Sequence, residues 1–125
     1  MTVAEEPTAA ADKLDAVLAE ATSAPWLVRV ASTGIRSSEP YAWVIAPAVG
    51  GMAIAERHNG GTVADMRYIA AMNPDVGRAL AALLRWTSER WIDAKAVEHH
   101  SARQEFQGLA LTIARAILAP TEVAR

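Results

Sequence analysis

The first part of the chain changes from small polar residues to an amphipathic pattern. From Asp12, which we interpret as an N-cap, apolar residues recur at helical spacing and predict a short helix to about Ala21. Residues 1–10 are small and polar around Pro7, and they predict a flexible arm before that helix.

Three short segments with strand character follow the first helix. They are rich in β-branched and aromatic residues, and they cover Trp26–Ala31, Tyr41–Ala46 and Met52–Arg57. A long polar connection separates the first two segments, and a tight turn containing Gly50 and Gly51 separates the last two. The simplest arrangement is an antiparallel meander. Alternation on the first strand gives one apolar face for helices to cover, formed by Trp26, Val28 and Val30.

Helical periodicity returns after the strands. A pattern resembling a capping box predicts that a helix begins at Thr62, and Asn73-Pro74-Asp75 stops it. Asn73 is expected to cap a second, longer helix whose first residue is Pro74 and which runs to about Ala96. Its predicted buried face consists of Val76, Leu80, Leu83, Leu84, Thr87 and Trp91.

A last apolar stripe predicts a helix that ends at Ala119-Pro120. Its members are Phe106, Leu109, Ala110, Ile113 and Ile117. The expected corner before it is Glu98–Ser101, although a continuous helix remains an alternative because neither Gly nor Pro interrupts the segment.

The element order predicts an α+β fold in which a three-stranded antiparallel meander is packed by an N-terminal helix and a C-terminal layer of two to three helices. Residues 11–119 are predicted to form a single domain between the flexible arm and a loose tail at 120–125.

Composition narrows the class of protein. The chain has 125 residues, a net charge of −2 and no cysteine, so disulfides and thiolate metal sites are excluded. The N-terminus lacks the pattern of a secretory signal, and no apolar run is long enough to span a bilayer, so a cytoplasmic location is expected. Residues 1–25 carry five acids against Lys13 alone, which permits an acidic helix lying beside arginine-bearing helices but is too small an asymmetry to identify a ligand.

Two segments carry a resemblance to a family. Thr22–Trp26 resembles a "TPGPW" start, with departures at Ser23 and Ala24, and Ala64–Pro74 resembles an A-D-x-x-Y-I-A-A-x-x-P segment. Together they resemble small, uncharacterised accessory proteins of bacteriophages and prophages, including Ead-like proteins and many proteins of actinobacterial phages. The resemblance covers roughly residues 12–86 and implies a phage setting inside a bacterial host, with no catalytic residues to transfer.

Candidate chemistry is sparse. The metal candidates are His58, Glu98, His99 and His100. His99 and His100 are adjacent and point about 100° apart on a helix, so they cannot share a metal ion as residues four apart would, and exposed histidines are the favoured interpretation. Ser101 beside His100 matches no nucleophile motif, and the paired glycines match no phosphate-binding loop. We therefore predict no catalytic residue, cofactor or metal site, and no enzyme activity.

Nucleic-acid binding is the second hypothesis. Five basic residues lie along the central helices, but acids alternate with them, so intrahelical ion pairs are favoured over a phosphate-binding stripe. The basic residues are Arg67, Arg78, Arg85, Arg90 and Lys95, and the acids are Asp65, Asp75, Glu89, Asp93 and Glu98.

The leading hypothesis is binding to another protein. Trp86 falls off the predicted buried stripe, and Arg85 and Arg90 supply the Trp/Arg chemistry enriched at interface hot spots. The alternative is that Trp86 covers the flank of the last helix. Tyr41 and Trp43 form a second candidate surface on the outer face of the sheet. The expected partners are a second copy in a homodimer and a host protein, while a small ligand held between sheet and helices is a third hypothesis.

Overall fold

The computed structural model describes residues 1–31, 41–56, 63–93, 101–120 and 122. For Ala31, Tyr41 and Ser101 only the backbone is described. The predictions made for Thr62, His58, Glu98, His99 and His100 lie outside the described residues, as does most of the predicted tail.

The described part of the chain contains the predicted mixture of elements. In chain order they are α1 (Glu6–Glu20), β1 (Leu27–Ala31), β2 (Tyr41–Ala46), β3 (Met52–Glu56), α2 (Val63–Ala71), α3 (Pro74–Glu89) and α4 (Ser101–Leu118). This order confirms the α+β fold, with an N-terminal helix, a three-stranded antiparallel sheet and C-terminal helices.

The chain divides into two compact units. The helical unit consists of Met1–Ala19 and Arg78–Arg125, and the sheet unit consists of Glu20–Gly77. The expectation that residues 11–119 form one cooperative domain stays a prediction.

In the sheet unit, the strands form the predicted meander in the order β1-β2-β3. β1 pairs antiparallel with β2, and β2 pairs antiparallel with β3 with an irregularity between Val44 and Ile45. Helix α2 covers one face, where the buried core consists of Ala42, Val44, Met66 and Ala70. Val28 packs against this core, but Val30, which was predicted on the same face, is largely exposed.

The turn between β2 and β3 shows why two glycines stand there. A single 3₁₀ turn, Pro47–Val49, is followed by Gly50 and Gly51, whose φ angles are +79° and +75°. Most L-residues avoid positive φ, whereas glycine adopts it without a steric penalty. The Gly51 N–H donates to the Ala46 carbonyl at 3.1 Å and closes the connection. The predicted tight turn is therefore confirmed.

The break between α2 and α3 is also as predicted. The Asp75 N–H donates to the Asn73 side-chain oxygen at 2.9 Å, and the Gly77 N–H donates to the Asn73 carbonyl at 3.1 Å. Asn73 is thus the N-cap of α3 and Pro74 is its first residue. The Asn73 amide also donates to the Ala70 carbonyl at 3.2 Å, so the same side chain contacts the end of α2.

The helical unit has a core made mainly of alanine. Its buried apolar residues are Ala10 and Ala11 of α1, Ala81 and Leu84 of α3, and Ala110 and Ala114 of α4. Small side chains let helices approach closely, so larger residues lie at the margins of the contact. Leu83 and Leu109 belong to the apolar stripes that were predicted to be buried, but both are exposed. The prediction is therefore wrong for these two residues.

Helix α1 begins earlier than predicted. A 3₁₀ turn, Val3–Glu5, precedes it, and α1 starts at Glu6 with Pro7 in its first turn, where proline is tolerated. Pro7 and Ala10 are buried, and the Thr8 N–H donates to the Ser88 hydroxyl at 2.9 Å. Asp12 therefore lies inside α1 and is not an N-cap. The prediction of a flexible arm over residues 1–10 is corrected, because the alanine-rich sequence extends α1 back to Glu6.

Helix α3 ends earlier than predicted, at Glu89 and not at about Ala96. The Ile92 N–H donates to the Gln107 side-chain oxygen at 3.0 Å, and the Gln107 amide donates to the Ile92 carbonyl at 3.0 Å. A side chain of α4 thus takes both backbone groups that further helix would use. Trp91, predicted on the buried helical stripe, lies after the helix and is half-buried.

Candidate functional site

Trp86 lies on α3 and reaches the side of α4. Its ring meets the ring of Phe106 edge to face, with centroids 5.9 Å apart and an interplanar angle of 87°. This is a favourable geometry for two aromatic rings. The side chain nevertheless keeps 41% of its surface exposed. Trp86 therefore contacts the flank of the last helix while part of its side chain stays accessible, and its role in an interface stays a prediction.

Two guanidinium groups lie against the same indole ring. The Cζ atoms of Arg90 and Arg103 are 4.9 Å and 5.5 Å from the Trp86 ring centroid, within the range of a cation–π contact. Arg103 is held further by α3, since it donates to the Arg90 carbonyl and, at 3.4 Å, to the Gln107 side-chain oxygen. Two positively charged groups thus lie over the Trp86 indole ring.

The apolar surface continues beyond Trp86. Leu83 lies three residues before Trp86 on α3, and Leu109 lies three residues after Phe106 on α4. This spacing places each leucine one turn along the same helix face. Because α3 and α4 run antiparallel, as the Arg90–Arg103 and Trp86–Phe106 contacts show, both leucines extend the surface in the same direction. We call Leu83, Trp86, Phe106 and Leu109 the Trp86 platform.

The platform is exposed at both of its leucines. Leu83 is 43% exposed and Leu109 is 59% exposed, so neither leucine is a core residue. Isolated exposed leucines are common on protein surfaces, but adjacent ones that border an exposed tryptophan form a patch typical of an interaction site.

Arg85 has a different environment from its neighbour Trp86. Its Nη2 atom lies 2.8 Å from an Asp12 carboxylate oxygen and 2.6 Å from an Asp15 carboxylate oxygen. Adjacent residues point about 100° apart on a helix, so Arg85 faces α1 while Trp86 faces α4. The hydrogen bond to Asp12, which has the larger effect, and the hydrogen bond to Asp15 raise the pKa of Arg85.

A second ion pair joins α1 to α4. Arg115 Nε lies 3.1 Å from a Glu6 carboxylate oxygen, and Lys13 donates to the Ala119 carbonyl at 3.2 Å. The expectation of an acidic N-terminal helix beside arginine-bearing helices is confirmed within the helical unit. Arg85 and Arg115 are consequently engaged by carboxylates of the chain itself.

The second candidate surface belongs to the sheet unit. Trp43 alternates with the buried Ala42 and Val44, so it lies on the sheet face opposite to α2, and it is half-buried. In register it stands between Arg29 on β1 and Glu56 on β3. For Tyr41 the structure shows the backbone pairing with Ala31. An interaction role for Tyr41 and Trp43 stays a prediction.

Over the described residues, no group of three or more His, Asp or Glu side chains is arranged to hold a metal ion. No described helix has both the length and the apolar character to cross a bilayer.

The sequence did not single out every member of the platform. Leu83, Phe106 and Leu109 belong to the stripes that the sequence predicts to be buried, and no sequence prediction includes Arg103, which borders the platform. A signal for the correct face existed in α4, where Gln107, Ala110 and Ala114 recur at helical spacing and are the buried residues. When the buried face of a helix consists of small residues, the larger apolar residues beside it are easily mistaken for that face.

Comparisons with protein-family models, with curated proteins and with solved structures find no match to this chain.

Proposed function

We propose that the protein is a non-enzymatic accessory protein of a phage or prophage that acts by binding another protein, of the bacterial host. The Trp86 platform carries the proposal of binding, because it combines a tryptophan that is 41% exposed with two exposed leucines and lies beside the guanidinium groups of Arg90 and Arg103. Tryptophan and arginine are the residues most enriched at interface hot spots. The phage setting rests on the resemblance of Thr22–Trp26 and Ala64–Pro74 to phage proteins.

The alternative function is a nucleic-acid-binding regulator. Tracking a phosphate backbone requires several basic side chains that are available to it. Arg85 and Arg115 are already paired with carboxylates of α1, which lowers the positive charge that the helical unit can offer. Protein binding is therefore the better supported of the two proposals.

Affinity capture from an actinobacterial lysate tests the proposed function. The tagged protein and its Trp86→Ala variant are used at low and high salt with nuclease added, and the retained proteins are identified by mass spectrometry. We expect one host protein to survive both treatments and to be lost with Trp86→Ala. The matched control is Val17→Ala, because Val17 is an apolar residue of α1 that is 61% exposed.

Three outcomes would contradict the proposal. Recovery of nucleic acid that is lost at high salt would favour the regulator, and a partner retained equally by Trp86→Ala would place the interface elsewhere. Unfolding of the Trp86→Ala variant, seen by circular dichroism, would show that Trp86 acts as a core residue. Sedimentation of the purified protein at several concentrations measures whether the same platform joins two copies of the chain.

A further inference from the structure

We infer that α1 exchanges between two copies of the protein: the face of α3 and α4 that holds α1 within one chain also receives α1 of a second copy. The residues of this face are not members of the Trp86 platform, so binding there goes beyond the proposed function.

The face under α1 is occupied in the structure, which shows what kind of helix fits it. The buried residues that α3 and α4 contribute are Ala81, Leu84, Ala110 and Ala114. Helix α1 adds Ala10 and Ala11 to the same core, with Pro7 also buried and Leu14 packed at the margin. Positions 7, 10, 11 and 14 have the spacing i, i+3, i+4 and i+7, which forms one face of a helix. A helix with small residues at these positions is therefore the occupant that this face accepts.

Opposite charges also match across this face. Arg85 of α3 lies 2.8 Å from Asp12 and 2.6 Å from Asp15. Arg115 of α4 lies 3.1 Å from Glu6. The two arginines belong to different helices and bind acids at different points of α1, so together they specify both the bound face of α1 and its direction. A second copy has the same acids at the same positions and makes the same contacts.

The contacts that hold α1 are of a kind that can be broken reversibly. The side chains that α1 buries are small, so they remove less apolar surface from water than leucine or phenylalanine would. The ion pairs lie at the surface, where Asp12 is 67% exposed and Arg115 is 60% exposed. Exposed ion pairs contribute little and are screened by salt. Release of α1 therefore costs less free energy than unfolding of the whole chain.

The path of the chain allows α1 to bind in either copy. The chain leaves the helical unit after Ala19 and returns to it at Arg78. Residues 21–26, which follow α1, are in neither helix nor strand. The hydrogen bonds from α1 to the rest of the helical unit join residues that are 73 to 109 positions apart. The face thus binds α1 through noncovalent contacts with a distant segment, and these contacts are the same for α1 of another copy.

Exchange depends on protein concentration. Attachment to the same chain gives α1 a high effective concentration at its own face, on the order of millimolar for a short linker. The closed monomer is therefore favoured in dilute solution. Reciprocal exchange, in which each copy holds α1 of the other, increases as the protein concentration rises.

A disulfide between two different copies tests the exchange, since the chain has no cysteine of its own. The Thr8 N–H lies 2.9 Å from the Ser88 hydroxyl, so cysteines at these two positions are close enough to form a disulfide. Thr8→Cys and Ser88→Cys are placed in separate copies, which are mixed and oxidised, and the mixed disulfide is identified by mass spectrometry. We expect its yield to rise with total protein concentration and its formation to be faster at high salt.

The matched control for the disulfide is Val17→Cys mixed with Ser88→Cys. Val17 is an exposed residue of α1 that lies nine residues after Thr8, which is about 13 Å along the helix axis and out of reach of a disulfide. A yield from Thr8→Cys and Ser88→Cys that does not exceed the yield of this control at any concentration would overturn the inference.

A charge exchange tests the recognition of α1 by Arg85. Arg85→Glu places a third carboxylate beside Asp12 and Asp15, and the double variant Asp12→Arg/Asp15→Arg places three positive charges together, so each variant disfavours its own closed form. In a mixed, reciprocally exchanged dimer, both faces meet α1 of opposite charge. We expect sedimentation to show a shift from monomer to dimer in the mixture and in neither protein alone. Arg67→Glu mixed with the same double variant is the matched control and should give no dimer, because Arg67 is an exposed arginine of α2.

The charge variants also supply a result that overturns the exchange, namely a mixture that stays monomeric although circular dichroism shows both proteins to be folded. Variants that are unfolded alone and gain helix when mixed would support it. If they stay unfolded when mixed, the disulfide result decides, because the cysteine variants keep every ion pair of α1. Capture of a host protein through Trp86 depends on neither measurement.

Discussion

The helical unit and the sheet unit keep their segments in register by different means. In the sheet unit, backbone pairing aligns the three strands, as in Val28 opposite Val44 and Val44 opposite Ala55. In the helical unit, side chains from distant parts of the chain set the alignment, as in Thr8 with Ser88 and Arg115 with Glu6. Both cores contain many alanines, so large interlocking side chains alone do not fix the alignment of the segments in either unit.

The difference has a physical origin. A strand exchanges hydrogen bonds with its neighbour, and its register is set by the alternation of buried and exposed residues and by the connecting turn. A helix satisfies its own backbone internally, so a helix with an alanine face could slide or rotate on its neighbours. Polar contacts at defined positions, such as Gln107 with Ile92 and Arg85 with Asp12 and Asp15, remove that freedom in the helical unit.

The largest expected effect tests whether the two units unfold together. Leu84 is fully buried in the helical unit, and Leu84→Ala should lower the free energy of unfolding by roughly 2–5 kcal/mol because it leaves a cavity. If residues 11–119 form one cooperative domain, native-state hydrogen exchange will show the same loss of protection for the amides of β2 and α4. Unchanged protection in β2 would instead show that the sheet unit unfolds independently.

A smaller effect is expected from the side chain that ends α3. Gln107→Ala removes both hydrogen bonds to the Ile92 backbone and leaves those groups without their partner, which should cost about 2 kcal/mol in chemical denaturation. Gln104→Ala on the exposed face of the same helix is the matched control and should change stability by less than about 0.5 kcal/mol. Equal effects of the two substitutions would argue against a registering role for Gln107.

The smallest of these effects concerns a local contact in the sheet unit. Asn73→Ala removes the N-cap of α3 and should cost about 1 kcal/mol, whereas Asn73→Asp should retain most of the stability because aspartate also caps helices. Thermal denaturation of the three proteins measures the difference. An unchanged midpoint for Asn73→Ala would mean that the cap does not stabilise the start of α3.

The sequence predicted features that depend on neighbouring residues more accurately than features that depend on residues far apart in the chain. The stop at Asn73-Pro74, the turn at Gly50-Gly51 and the strand Tyr41–Ala46 were predicted correctly because each depends on residues next to one another. The end of α3 was predicted too late because the groups that terminate it belong to Gln107 and Arg103 on another helix. Nothing in the sequence of residues 89–93 indicates those hydrogen-bond partners.

The residues of the candidate site also differ in whether neighbouring or distant parts of the chain identify them. The sequence alone singled out Trp86 and Arg90, because a tryptophan off the apolar stripe and a nearby arginine can be found from helical spacing. It also grouped Arg85 with them, whereas the structure turns Arg85 towards Asp12 and Asp15. Arg103 and Leu109 joined the site only through the antiparallel packing of α3 and α4.

The sequence by itself determined the α+β class, the order of the elements, the start of α3 and the turn at Gly50-Gly51, since propensity, capping and period are properties of neighbouring residues. The tertiary structure decided which helix faces are buried, where α3 ends and which arginines border an exposed tryptophan. Those outcomes depend on contacts between residues far apart in the chain, and alanine-rich faces leave several packings open until distant polar side chains select one.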